Sequence, residues 1–203
     1  MTQQFRCELV SWASVQRLSH RLAMMIRKDK FHPEIVVAIA RGGYVPARLL
    51  CDYLDLTDLR SIRIVHYTAG AAKQRTAELV EGLCHDLCGK QVLLVDDISD
   101  TGDTLELARA HLQANNAGSI RIAVLQHKQT STMLPDYFGQ RIVKWRWITY
   151  PWAIVEDVTG FIERMPQRPG SAAEAVRLLQ EYHGLHIRES LIEEILQLHA
   201  EDS

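Results

Sequence analysis

Two neighbouring carboxylates, Asp96 and Asp97, stand where the apolar run Val92 to Val95 gives way to Ile98-Ser99-Asp100-Thr101-Gly102-Asp103-Thr104. An apolar run that ends in acids reads as a buried strand carrying them to its C-terminal end, the side on which open α/β sheets bind ligands. The residues from Ser99 to Thr104 lead directly into a helical pattern with Leu105, Ala108 and Leu112 on one face. A turn into a helix N-terminus presents backbone N–H groups and the positive end of the helix dipole, which together suit a phosphate. Thr101 and Thr104 add hydroxyl donors, and Gly102 lets a ligand approach the backbone closely. Acids beside such a cradle suit a sugar phosphate. They accept hydrogen bonds from ribose hydroxyls, directly or through Mg²⁺, which prefers oxygen ligands. Asp103 brings a negative charge into the cradle, at little cost if its side chain points outward, where solvent screens it. The patterns GxxxxGK[ST] and GxGxxG are both absent, which excludes a P-loop and a dinucleotide fingerprint.

Chemistry needs elements to hold it in place. Trp12, Val15, Leu18, Leu22 and Ile26 recur at three and four residues, predicting an amphipathic helix. Ile35 to Ala40 is an unbroken apolar run, as in a parallel strand buried on both faces, and it ends abruptly in Arg41-Gly42-Gly43. Tyr44 to Leu54 reads as a helix with Pro46 in its first turn. Further strands are predicted at Ser61 to Tyr67, Gln91 to Val95, Ile120 to Gln126 and Ile142 to Ile148. The small, polar stretch Thr68 to Gly82 predicts a mobile loop with a helical piece at its end. Past Gly160 the pattern turns helical. Ser171 and Glu174 form a capping box, Gly184 ends that helix, and Ser190 to Leu198 makes another. Strands alternating with helices predict an α/β fold with a mostly parallel sheet flanked by helices. Residues 1–160 are expected to form the core, and residues 161–203 a C-terminal helical hairpin.

The segment from Val92 to Ala108 resembles the signature of type I phosphoribosyltransferases: an apolar strand, two acids, two residues, then Asp-Thr-Gly-x-Thr. Its nearest likeness is to the xanthine-guanine and hypoxanthine enzymes. The resemblance implies an enzyme of purine salvage that uses Mg²⁺ and phosphoribosyl pyrophosphate (PRPP). Asp96, Asp97, Ser99, Asp100, Thr101, Gly102, Asp103 and Thr104 would bind PRPP, with the metal on Asp96 and Asp97, through water or directly. Ala40-Arg41-Gly42-Gly43 resembles the family's pyrophosphate loop, so Arg41, Gly42 and Gly43 would hold the leaving diphosphate, with a cis peptide at Ala40-Arg41. Asp100 matches the acid near N7 of the base, as general base or as a group that polarises the N–H. Lys128 matches the lysine set against O6 of a 6-oxopurine. Trp147-Ile148-Thr149-Tyr150-Pro151-Trp152 resembles the purine pocket, where Trp147 would stack on the base and Ile148 would read its 2-substituent. The loop Thr68 to Gly82 would close as a lid, with Lys73 or Arg75 touching the diphosphate.

The resemblance departs at two points. Ala153 stands where the family often has an acid, and Asp103 is unusual inside the cradle. A second implication is therefore a PRPP or nucleotide sensor on the same fold, with the tail from Ser171 contacting a partner. Arg41, Asp100 and Lys128 favour the enzyme.

Bulk properties narrow the class further. The 203 residues are 47% hydrophobic and 24% charged, with a formal net charge of -2, which argues against nucleic-acid or membrane partners. The first residues lack the basic and apolar run of a signal peptide, so a cytoplasmic protein is expected. Cys7, Cys51, Cys84 and Cys88 read as free thiols, since Cys84 and Cys88 flank His85 with no second ligand pair at zinc spacing. The family resemblance implies a homodimer.

Overall fold

The computed structural model describes residues 5–68 and 75–200. In chain order the elements are β1 (Cys7–Leu9), α1 (Trp12–Lys28), β2 (Ile35–Ala40), α2 (Tyr44–Leu54), β3 (Leu59–Thr68), β4 (Arg75–Glu81) and β5 (Gln91–Ser99). They continue with α3 (Asp103–Ala114), β6 (Ser119–Lys128), β7 (Tyr137–Ile142), β8 (Trp147–Thr149), α4 (Ile154–Glu163), α5 (Ala172–His183) and α6 (Glu189–Ala200). Contacts divide the chain into two compact units, Ala13–Lys144 and a second made of Met1–Trp12 with Trp145–Ser203. The second unit takes in both ends of the chain, where residues 161–203 alone are expected to form the appendage. The cause is β1, which pairs in parallel with β8 and joins the beginning of the chain to its C-terminal part.

The unit Ala13–Lys144 is an α/β layer built on a six-stranded sheet of order β4-β3-β2-β5-β6-β7. All neighbours run parallel except the edge strand β4, which is antiparallel to β3. Apolar runs make the central strands because both faces are covered. Ile35 to Ile39 and Val92 to Val95 are buried at every position. Alternate side chains serve the two faces. Val37, Ile39, Val92, Leu94, Ile122 and Val124 cluster with Leu105, Ala108 and Leu112 of α3. Helix α2 packs on β2, β3 and β5. The chain runs from β2 through α2 to β3 on one side, and from β5 through α3 to β6 on the other. Right-handed crossovers then place α2 and α3 on opposite faces. The strand order reverses between β2 and β5, so their C-terminal ends open a crevice suited to a ligand.

Two expectations for this unit need correction. Residues 75–81 of the anticipated loop are strand β4, not loop or helix. The register Ile64↔Leu79 and His66↔Ala77 turns Ala77 and Leu79 toward the core and leaves Glu78 exposed, a short alternation hidden in polar surroundings. No strand spans the expected Ile142 to Ile148, which holds only the last residue of an unanticipated strand, β7, and the first two of β8. β7 ends at Ile142, Val143 and Trp145 are exposed, and β8 begins at Trp147.

In the other unit α4, α5 and α6 enclose Val158, Phe161, Ile162, Ala175, Leu179, Ile192 and Ile195. Helices α5 and α6 pack on each other as the expected hairpin. Ser171 Oγ accepts from the Glu174 N–H at 3.2 Å, whereas Glu174 reaches back to the Gly170 N–H at 2.8 Å. Helix α4 and strand β1 were not anticipated. No helix among the described residues is long and apolar enough to cross a membrane.

Candidate active site

The crevice between β2 and β5 gathers most of the predicted residues. Strand β2 ends at Ala40, whose peptide bond to Arg41 is cis as expected. The turn Gly42-Gly43 then folds against β5. A Cβ on Gly42 would stand 2.6 Å from the Asp97 Cγ, so the carboxylate of Asp97 lies against this turn. A Cβ on Gly43 would strike backbone instead, the carbonyl oxygens of Val95 and Ile39. The glycines thus allow the close approach that brings the β2–α2 turn to the acids of β5.

Asp96 is 8% exposed and accepts a hydrogen bond from the Asp97 N–H at 2.9 Å. Burial, reinforced by the neighbouring charge of Asp97, pushes its carboxyl well above the usual carboxylate range. Negative charge at this strand end is therefore costly until a cation or hydroxyl donors meet it. Two hard oxygen donors are also the kind of set Mg²⁺ takes, since that ion keeps several waters and substrate oxygens. The residues fit the metal. No group of three or more His, Cys, Asp or Glu side chains poised for a metal occurs among the described residues.

Beyond the acids, β5 runs to Ser99 and the loop Asp100-Thr101-Gly102 turns into α3. Gly102 has φ +105°, a left-handed conformation that side-chain-bearing residues rarely adopt. Asp103 is exposed and accepts from the Thr101 hydroxyl at 3.0 Å. That hydroxyl, read as a phosphate donor, is thereby held by Asp103. The Thr104 hydroxyl lies 2.8 Å from Nε2 of His66, a β3 residue with no motif to announce it.

Lys128 closes β6. It is 3% exposed, and its Nζ donates to Asp100 Oδ2 at 2.6 Å. The Asp100 side chain remains 41% exposed. An acid and a base predicted for one substrate thus meet at the mouth of the phosphate loop, brought together by the parallel pairing of β5 with β6.

The residues after Lys128 hold that loop from behind. Thr132 donates twice to the Thr101 carbonyl, from its N–H at 2.8 Å and its Oγ1 at 2.9 Å. Thr130 Oγ1 donates to the Asp100 carbonyl at 3.2 Å, and Ser131 Oγ lies 2.7 Å from Ser99 Oγ. Sequence reasoning passed over this run, though three consecutive hydroxyl residues are a signal for side-chain bonds to backbone.

Trp147 and Ile148 belong to the other unit. Trp147 packs near Phe5 and Phe161, and its Nε1 donates to Asp157 Oδ2 at 2.9 Å. Thr149 donates to the same oxygen at 2.6 Å, yet burial outweighs both bonds and raises the Asp157 carboxyl. Trp152 stacks flat on Tyr150 at 4.7 Å. Lys73 lies outside the described residues, and Arg75 opens β4.

Comparison with known proteins gives the family. Residues 8–156 match the phosphoribosyl transferase domain. A xanthine-guanine phosphoribosyltransferase of Ruegeria sp. (strain TM1040) is 31% identical over 151 residues, covering 70% of this chain and 83% of that protein. The hypoxanthine-guanine phosphoribosyltransferase of Saccharomyces cerevisiae is 28% identical over 208 residues, covering 81% and 92%. The crystal structure of a purine phosphoribosyltransferase from Pyrococcus horikoshii Ot3 is similar with a TM-score of 0.63 at 33% identity, over 72% of this chain and 93% of that one. The matched stretch contains the β2–α2 turn, the paired acids and the phosphate loop, and the chain belongs to the phosphoribosyltransferase family.

Proposed function

We propose that this protein transfers the 5-phosphoribosyl group of PRPP to a purine nitrogen, releasing pyrophosphate, with a 6-oxopurine (hypoxanthine, guanine or xanthine) as acceptor in nucleotide salvage. The observation that carries the reading is the meeting of Asp100 with Lys128 at 2.6 Å beside the loop that opens α3. A lysine donor suits O6 of the base, and an acceptor carboxylate suits the N–H at N7. The two groups that hold each other without substrate would then turn to one purine edge. An adenine acceptor presents a donor at position 6 and gains nothing from Lys128.

The reaction breaks the bond from C1 of the ribose to the diphosphate oxygen and forms one from C1 to nitrogen. Positive charge grows on the sugar and negative charge on the leaving group. Arg41 and the N–H group of Gly42 are assigned to the diphosphate, where fixed donors stabilise charge as it develops, while the Gly43 N–H donates to the Ile39 carbonyl at 2.8 Å and holds the turn. Asp96 and Asp97 are assigned to the ribose hydroxyls and to Mg²⁺, which when bound supplies charge neutralisation to the diphosphate. Ser99, Thr101, Gly102, Asp103 and Thr104 are assigned to the 5′-phosphate loop, mainly through backbone N–H groups. Asp100 acts as general base or polarises the N–H of the acceptor. Likeness to the family supports Trp147 as stacking partner of the base and Ile148 as reader of its 2-substituent. The same likeness supports Lys73 or Arg75 as a lid contact, and a cytoplasmic homodimer.

The test is pyrophosphate release from PRPP with Mg²⁺ and hypoxanthine, guanine, xanthine, adenine or uracil in separate reactions. Turnover confined to 6-oxopurines is expected. Turnover with adenine or uracil alone would overturn the assignment of Lys128, and none with any base would overturn transfer itself.

A further inference from the structure

The phosphate loop presents its N–H groups only if its peptide planes are turned the right way. Two of those planes are held by one neighbouring segment. The Asp100 carbonyl accepts from Thr130 Oγ1 at 3.2 Å, and the Thr101 carbonyl accepts from Thr132 N–H at 2.8 Å and Thr132 Oγ1 at 2.9 Å. Both peptides are trans, since the one cis bond among the described residues is Ala40-Arg41. In a planar trans peptide the N–H points opposite to the C=O. Holding the carbonyls of Asp100 and Thr101 toward residues 130–132 therefore turns the N–H groups of Thr101 and Gly102 to the other side of the loop. The segment also sits where Gly102 leaves no room, because a Cβ there would stand 2.9 Å from both Thr132 Oγ1 and Met133 N. The fit explains why the left-handed Gly102 faces this segment and nothing bulkier.

We propose that Thr130 and Thr132 are positioning residues that aim the N–H groups of Thr101 and Gly102 at the 5′-phosphate of PRPP and of the nucleotide product. This rests on the proposed function, which places the phosphate in that loop. Neither threonine touches the substrate. Each acts through a backbone carbonyl, and both are exposed, so their loss leaves the core of the unit intact.

The experiment measures binding of ribose 5-phosphate and of inorganic pyrophosphate by calorimetry, in wild type, in Thr130→Val/Thr132→Val and in Thr132→Ser. Valine keeps the shape and removes the hydroxyl, whereas serine keeps the hydroxyl. Ribose 5-phosphate is expected to bind the double variant about tenfold more weakly, as for the loss of net hydrogen bonds. Pyrophosphate, assigned to Arg41 and Gly42, is expected to bind within about twofold of wild type, a margin well inside one net hydrogen bond. Thr132→Ser is expected to match wild type for both ligands. Equal weakening of both ligands, or no weakening of ribose 5-phosphate, overturns the positioning role while leaving the proposed function standing. A wild-type protein that binds neither ligand overturns the proposed function and this inference together. Should the double variant not fold, Thr130→Val alone is read by the same ratio of the two affinities.

Discussion

Gly42 and Gly43 adjoin in sequence, yet alanine at each is expected to do opposite things. At Gly42 the new methyl would stand 2.6 Å from Cγ and 2.7 Å from Oδ1 of Asp97, all in one rotatable side chain. The carboxylate swings away, and the fold loses little, within about 1 kcal/mol for a change near the surface. What is lost is the place proposed for Asp97 at the ribose and metal. A hydrogen bond to a charged group contributes about 1.5–3 kcal/mol, so kcat/KM is expected to fall roughly 10- to 100-fold. At Gly43 the methyl would meet backbone: the Val95 carbonyl oxygen closest of all, then Ile39 O at 2.7 Å and Ile39 N at 2.9 Å. Neither strand can yield, because Ile39 and Val95 are both buried in the centre of the sheet. Overpacking of this kind costs about 1–3 kcal/mol or more. At 2–4 °C per kcal/mol for a chain of this size, Tm should drop by roughly 6–12 °C at the upper end. Thermal unfolding and steady-state kinetics on the two variants decide the matter. Gly42→Ala with full activity would remove Asp97 from the site. Gly43→Ala with unchanged Tm would contradict the close approach of the β2–α2 turn to β5.

Three other outcomes are expected. Asp100→Asn should lower kcat by about 10²–10⁴-fold, the usual range for a lost acid–base group, while PRPP affinity by calorimetry stays near wild type. An equal loss of both would place Asp100 on PRPP alone. Lys128→Ala should reduce kcat/KM for hypoxanthine and guanine roughly 10- to 100-fold and leave any adenine activity unchanged, since only a 6-oxo group accepts from the ammonium. An unaltered base profile removes Lys128 from the pocket. Asp96 carries a pH signature, because burial and the charge of Asp97 raise its carboxyl in the folded state. The stability associated with its proton is complete below the ordinary aspartate range and is lost as pH rises through the folded-state value. Asp96→Asn should therefore raise Tm at neutral pH in the absence of metal and PRPP, with the gain shrinking as pH falls toward 4. A variant less stable than wild type at neutral pH would refute the sign.

Much of this was readable in the chain because the informative residues are contiguous. Ile35 to Ile39 and Val92 to Val95 are strand segments buried on both faces, and an unbroken apolar run has few other uses at that length. The acids, the phosphate loop and α3 follow without a gap, so one motif carried half the site. What escaped depends on distant pairing. Strand β1 has three residues, too few for periodicity, and gains its order from β8, which pairs Cys7 with Trp147. Helix α4 was missed although Val158, Phe161 and Ile162 lie at helical spacing, because the segment follows so closely on the Pro151-Trp152 turn. Thr132 reaches Thr101 across 31 residues, and a side chain bonding a backbone carbonyl leaves no repeating pattern. In sequence, Trp147 resembles a base-stacking ring. Its packing with Phe5 and Phe161 could be learned only from the partners that β1 and α4 bring to it.

The same long-range pairing determines what light reports about this molecule. All four tryptophans, Trp12, Trp145, Trp147 and Trp152, belong to the unit formed by Met1–Trp12 with Trp145–Ser203, and the six-stranded sheet contains none. Indole fluorescence therefore watches one unit alone, while far-ultraviolet circular dichroism weighs both. Coincident denaturation curves from the two probes would mark a single cooperative transition, and separated curves would assign each midpoint to its unit without any added label. In refolding, the fluorescence change times the meeting of the two chain segments that flank the sheet-forming unit. Closing that contact spans most of the polypeptide, so the indole signal is expected to trail the recovery of strand dichroism.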